Sequence, residues 1–225
     1  MSSRALLIVA RTPEAEAAAK RLPLATAAPL FRAVLRCWIA SAAAAGATPI
    51  IACSGEDRRR LADFATCIEQ RGAAFGERLA NAVEDARKLG FESVILTGID
   101  APPCALETAF ALLENGADVV APSRDGGVNL IGVQSLEFLR TIRLRESHLL
   151  QRCRRTFRAL FVLSAASDID SMADIAAARR EQAWSGYRAL LARCLAHASN
   201  AAALERPAVT APLRFSVSRA PPLTR

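Results

Sequence analysis

Lysine is almost missing from this chain. Of 29 basic residues only Lys20 and Lys88 are lysines, so the net charge of +7 is carried by scattered arginine. Aromatic residues make up 5% of the sequence, and no strand-like segment is rich in them. Without a basic stripe or a stacking platform, a nucleic-acid partner is not expected. The two arginine clusters, "EDRRRLADF" and "LLQRCRRTFRALF", alternate with apolar residues as the solvated face of a helix or strand does. Histidine is as scarce. His148 and His197 are far in sequence from every motif described below, which leaves them surface or packing roles. No C-x-x-C pair exists among Cys37, Cys53, Cys67, Cys104, Cys153 and Cys194. Dispersed cysteines within apolar segments fit a reduced, cytoplasmic setting. No apolar run is long enough to cross a bilayer. The opening "ALLIVA" is six residues, and "RTPEAEAAAKR" follows it without an export-type cleavage pattern. It reads as a first strand, and no membrane partner is expected.

What is present is an alternation of elements. "RALLIV", "ATPIIAC", "ESVILT", "ADVVAP", "GVNLIGV" and "RALFVL" read as strands, with helix-period stretches between most of them, the signature of an α/β fold. Leu30, Phe31, Val34, Leu35, Trp38 and Ile39 recur at three-to-four spacing and define one buried helix face; Leu79, Val83, Ala86 and Leu89 define another. Too few residues separate "DVVAP" from "VNLIGV" for a helical crossover, so the sheet should be mixed, mostly parallel with an antiparallel member. The expected organisation is one domain over residues 1–181, a C-terminal helix over 182–205 and a proline-rich tail over 206–225 whose composition favours flexibility. The sequence leaves the oligomeric state open, a homodimer among the options.

Three short stretches could carry chemistry. In "VILTGIDAPP", Asp100 lies just past a strand, at the sheet edge where open α/β folds bind ligands, with Gly98 before it and Pro102 and Pro103 stiffening the exit. The competing reading is a cap for the next helix. In "APSRDGGVNLIGV", Asp125, Gly126 and Gly127 form either a plain Asp-Gly turn or a place where a ligand approaches backbone. In "SDIDSMADI", Asp168 and Asp170 alternate in an extended segment and would point to one side, which suits a hard divalent cation; helix capping by Asp170 or Ser171 competes.

Taken in order, these stretches resemble a bacterial glycosyltransferase-A-like family of the nucleotide-diphospho-sugar transferase superfamily, and are similar to the 2-phospholactate guanylyltransferases. The resemblance covers roughly residues 4 to 180. It rests on Gln70, Gly72, Gly76 and Arg78; on Gly98, Asp100 and Pro102; on Pro122, Asp125, Gly126, Gly127, Leu130, Ile131 and Gly132; and on Asp168, Asp170, Ser171 and Asp174. It implies a glycosyltransferase-A-like fold with helices on both faces of the sheet. It further implies Mg²⁺ or Mn²⁺ on Asp100, Asp168 and Asp170, and a nucleotide or nucleotide-sugar donor with a small-molecule acceptor. Arg11, Lys20, Arg21, Gln70, Gly72, Gly76, Arg78 and Gly98 would then face the nucleotide, and Asp125, Gly126 and Gly127 the acceptor. Asp100, Arg21 and Asp125 would take part in catalysis, which would be electrostatic, with no covalent nucleophile. The chain departs from the pattern at its first motif: Glu16 stands for a glycine, Ala19 for a lysine and Lys20 for a threonine. Ala74, Ile99, Val128 and Asn129 are further departures, and a relative that binds without turnover is the alternative reading.

Overall fold

A computed structural model describes residues 3–204, with side chains to 197; the proline-rich tail lies outside the described residues. The described residues form a seven-stranded sheet: β1 (Arg4–Val9), β2 (Thr48–Cys53), β3 (Thr66–Glu69), β4 (Ser93–Thr97), β5 (Asp118–Pro122), β6 (Val128–Gly132) and β7 (Leu160–Val162). Their spatial order is β3-β2-β1-β4-β6-β5-β7. Only β6 runs against its neighbours β4 and β5, so the sheet is mixed and mostly parallel, as the short link after β5 dictates. The strand missed in sequence is β3. Its four residues carry one buried side chain, too short a signal for periodicity to show.

Helices cover both faces. Leu6, Ile8, Ile51 and Ile95 point to one core, where they meet α2 (Leu24–Ala44), α5 (Leu106–Glu114), α8 (Met172–Ala178) and α9 (Arg188–Leu204). Ala5, Leu7, Ile50 and Leu96 point to the other, beneath α4 (Phe75–Lys88), α6 (Leu136–Arg140) and α7 (Leu149–Thr156). Successive residues of one strand thus supply two cores, and every residue of β4 is buried. The remaining helices, α1 (Pro13–Ala19) and α3 (Gly55–Leu61), follow β1 and β2. By length and composition α2 could span a membrane, but Leu30, Phe31, Val34, Leu35 and Trp38 are fully buried in the core. Leu89, expected on the buried face of α4, caps its end and is exposed. Residues 182–197 join the main core: Trp184, Leu191 and Cys194 have no exposed surface.

The order β2-β1-β4 makes the crevice between β1 and β4 a topological switch point. The chain leaves β1 toward β2 on one side, while β4 pairs on the other. Ligands of open α/β sheets bind in such crevices, outside the carboxyl ends of the strands.

Candidate functional site

Two segments leave the carboxyl ends of β1 and β4 and meet across that crevice. After β1, Thr12 caps α1 by accepting a hydrogen bond from the Ala15 amide, with Pro13 as the first helical residue. Glu16 and Lys20 lie one turn apart on that helix and at its end. After β4, Asp100 projects its carboxylate over the strand exit. Gly98 makes this possible by its bareness: a Cβ there would come within 2.6 Å of Asp100 Oδ1.

Lys20 joins the two segments. Its Nζ donates to Asp100 Oδ2 at 2.8 Å and to Asp170 Oδ1 at 2.5 Å, and stands 3.4 Å from Glu16 Oε1. Only 6% of the Lys20 side chain is exposed. Burial works against its charge, yet the surrounding carboxylates outweigh that and raise its pKa above the ordinary lysine value. The cap readings of Asp100 and Asp170 fall away. The capping position of α5 is Ala105, which offers no side-chain cap, and α8 is capped by Ser171, which accepts from the Asp174 amide. Asp170 is thereby free to face Lys20.

Asp168 does not share this contact. Buried Ile169 separates it from Asp170, and Asp168 Oδ1 accepts from the Ser123 hydroxyl at 2.6 Å. Burial raises its pKa, against the Ser123 hydrogen bond, and the charges of Asp100 and Asp125 add to the rise. Burial likewise raises Glu16, opposed by Lys20. A carboxyl raised in the folded state binds more protons folded than unfolded, so its contribution to stability falls as pH rises through its window. Relative to Glu16→Gln, the wild type should therefore lose stability as pH rises above the ordinary glutamate value of 4.5. Urea midpoints of both proteins between pH 4 and 7 check this; a wild type that gains on the variant would show Lys20 pairing to outweigh burial.

The segment bearing Asp168 and Asp170 is held from behind by residues to which no motif gave that role. Glu181 accepts from the Ser167 amide at 3.0 Å, the Ser167 hydroxyl at 2.5 Å and Arg124 Nε at 2.6 Å. These contacts overcome its burial and lower its pKa. Asn129 donates to the Ala166 carbonyl, and Trp184 Nε1 to the Ser167 carbonyl at 2.9 Å. Trp38 does the same for the other loop, donating to Ala101 at 3.0 Å. Period and burial explain both tryptophans as core residues; only their indole hydrogen bonds reveal the positioning.

The other expected site residues are spread along the same sheet edge. Arg11 is 55% exposed and 3.4 Å from Glu16. Arg21 is exposed and has φ 54°, a left-handed conformation at the end of α1. Gln70 is turned inward, its amide donating to the Ala52 carbonyl. Gly72 has φ 129° in the turn where Glu77 accepts from the Ala73 and Ala74 amides, and Arg78 donates to the Ala73 carbonyl. Gly76 packs against α6: a Cβ would lie 2.4 Å from the Arg140 carbonyl oxygen and 2.5 Å from that of Leu139. Asp125 Oδ1 accepts from the Gly127 amide, the Asp-Gly turn reading. Gly126, with φ 94°, lies against the Ser147 carbonyl. Cys104 is a free thiol that burial pushes up to about 11, which leaves it protonated and unreactive at neutral pH.

Among the described residues no group of three or more His, Cys, Asp and Glu side chains is arranged to hold a metal ion. The donors nevertheless suit one. Asp100 and Asp170 offer hard oxygen ligands, and the ammonium of Lys20 already stands between them as a cation.

Residues 38–152 match the family described as uncharacterized protein conserved in bacteria, DUF2064. The chain belongs to this family. The match in this DUF2064 protein includes Asp100 and the Asp125–Gly127 turn, while Glu16, Lys20, Asp168 and Asp170 lie outside it. A Desulfovibrio desulfuricans protein provisionally classed as a nucleotide-diphospho-sugar transferase superposes with a TM-score of 0.69 at 21% identity, over 86% of this chain and 99% of that one. A cytidylyltransferase from Leptospira borgpetersenii superposes with 0.53 at 13% identity, over 91% and 97%. The fold of the DUF2064 chain is thus glycosyltransferase-A-like, that of the nucleotide-diphospho-sugar transferases. No curated protein matches the sequence.

Proposed function

We propose that the protein is a transferase that uses a nucleotide or nucleotide-sugar donor and passes a nucleotidyl or glycosyl group to a small acceptor, with Mg²⁺, or Mn²⁺ in its place, as the metal ion. One observation carries this reading: Asp100 and Asp170 converge on a single cation at the switch point of a fold shared with such enzymes. These two carboxylates would hold the divalent ion, with Asp168 adjoining. A bound ion would supply charge neutralisation at phosphate oxygens as negative charge builds on the leaving group. The exposed guanidiniums of Arg11 and Arg21 supply planar, paired donors to the phosphates. The Asp125–Gly127 turn borders the acceptor, and the 166–170 segment, tied to Glu181 and Trp184, keeps Asp170 at a fixed place.

A second reading, nucleotide binding without turnover, is favoured by Glu16. This carboxylate stands 3.4 Å from both Lys20 and Arg11 and takes up positive charge that a phosphate would otherwise meet. A thermal-shift panel of nucleoside triphosphates and nucleotide-sugars, with Mg²⁺ and with a chelator, tests both readings, because specific binding stabilises the folded state. Stabilisation by one class of nucleotide together with product formation supports the transferase. Stabilisation without product supports the second reading, and no stabilisation by any nucleotide removes both.

Arg21 supplies a sharper measurement. A left-handed non-glycine residue costs on the order of 1 kcal/mol. Arg21→Gly should therefore raise the melting temperature by a few degrees while weakening nucleotide binding about tenfold through loss of a charged contact. A stabilised variant with unchanged nucleotide affinity would remove Arg21 from the site.

A further inference from the structure

We propose that Lys20 is a built-in competitor for the metal position: its ammonium fills the place between Asp100 and Asp170 that a divalent cation takes, so metal enters only as Lys20 leaves. This rests on the reading of those carboxylates as a cation site, and it adds what that reading lacks, a reason for a lysine at position 20. Three observations support it. The Lys20 side chain is 94% buried, the complement of its 6% exposure, although a lysine at a helix end has open solvent available elsewhere. Its hydrogen bonds reach two carboxylates that arrive on different loops, 80 and 150 residues away in sequence. The ammonium hydrogen-bonds Asp100 and Asp170 and stands within ion-pair reach of a third carboxylate, Glu16, from its own helix one turn back.

Such a cluster can hold one cation at a time. A divalent ion at bonding distance from both aspartates, about 2.1 Å for Mg²⁺, would occupy the volume of the ammonium and repel it. The exchange need not be costly in shape, because lysine is a point charge on a flexible four-carbon stem. On release, Lys20 stays beside Arg21, where it adds to the charge available to a phosphate. Metal and nucleotide binding would then be linked through one side chain, each favouring the form in which Lys20 has left the carboxylates.

The test uses Mn²⁺ alone, followed by the loss of its free-ion electron paramagnetic resonance signal in titrations of the full chain. Lys20→Met, which keeps the length of the side chain and removes its charge, should bind one Mn²⁺ per chain at least tenfold more tightly than the wild type. Mn²⁺ should also raise its melting temperature more than that of the wild type. Lys20→Gln, a smaller change with the same loss of charge, should behave alike and serves if the methionine variant does not fold, as judged by circular dichroism. Adding Asp100→Asn to either should abolish the gain. Equal affinity in wild type and variants would overturn the role of Lys20 while leaving the carboxylates as a metal site. No binding by any of them would overturn the cation site itself, and this inference with it.

Discussion

Trp184→Ala should lose about 3–5 kcal/mol of unfolding free energy, measured as a shift in the urea midpoint at constant slope. The side chain has no exposed surface, and its ring stands edge-on to Tyr187 with centroids 5.4 Å apart. Truncation would leave a cavity in the core shared by α2, α8 and α9, and an unpaired carbonyl at Ser167 where the indole now donates. A natural domain has only about 5–15 kcal/mol in hand, so the variant should be marginal at 37 °C. Trp184→Phe keeps most of the volume and drops the hydrogen bond, and should lose roughly 1–2 kcal/mol. A loss under 1 kcal/mol for the alanine variant would show that residues 182–197 do not belong to the cooperative core. The same change should also loosen the segment of Asp168 and Asp170, so nucleotide affinity should fall even in variant protein kept folded by low temperature.

Gly76→Ala should cost about 3 kcal/mol, the upper end for overpacking, and lower the melting temperature by roughly 6–12 °C. The obstacles are backbone carbonyls of Arg140 and Leu139 at 2.4 and 2.5 Å from the added Cβ, and a helix end cannot swing aside as a long side chain can. The resemblance places Gly76 among the nucleotide contacts; the packing assigns it to the approach of α4 to α6. The two accounts part on one comparison. Lost stability with the nucleotide response of the remaining folded protein intact belongs to packing, and unchanged stability with weakened nucleotide binding belongs to the ligand.

The parts of this protein legible in its sequence are those set by local pattern. β1, β2, β4, β5 and β6 are apolar runs with clear ends, and the short link after β5 was enough to require an antiparallel strand. β3 was not legible, because a four-residue edge strand with one buried side chain has no period to detect. In the candidate site, the sequence points to Asp100 by its place after β4, and to Asp168 with Asp170 by their spacing. Spacing misplaced their partners, however. Alternation in an extended segment predicts a shared side, whereas Ser123 draws Asp168 away from the contact Asp170 makes with Lys20. The roles of Lys20, Glu181 and Asn129 depend on pairings across 14 to 150 residues of chain: Glu181 with Ser167, Asn129 with Ala166, Lys20 with Asp170. No local pattern encodes contacts of that range. Glu16 was visible only as a departure from a motif, and Lys20 as a departure whose charge the resemblance turned toward the nucleotide; a departure names what is lost at a position, not that the new side chain binds Asp100 and Asp170.

The protein has two tryptophans, and each donates its indole proton to a carbonyl adjoining a carboxylate loop, Trp38 at Ala101 and Trp184 at Ser167. The chain thus carries an indole reporter behind each of the two loops that bring aspartates to the candidate site, one after β4 and one after β7. Excited at wavelengths where Tyr187 does not absorb, its ultraviolet emission is a record of those two loops alone. With phenylalanine at one position the remaining lamp reads one loop by itself, so filling of the site can be followed in real time from either loop without attaching a dye.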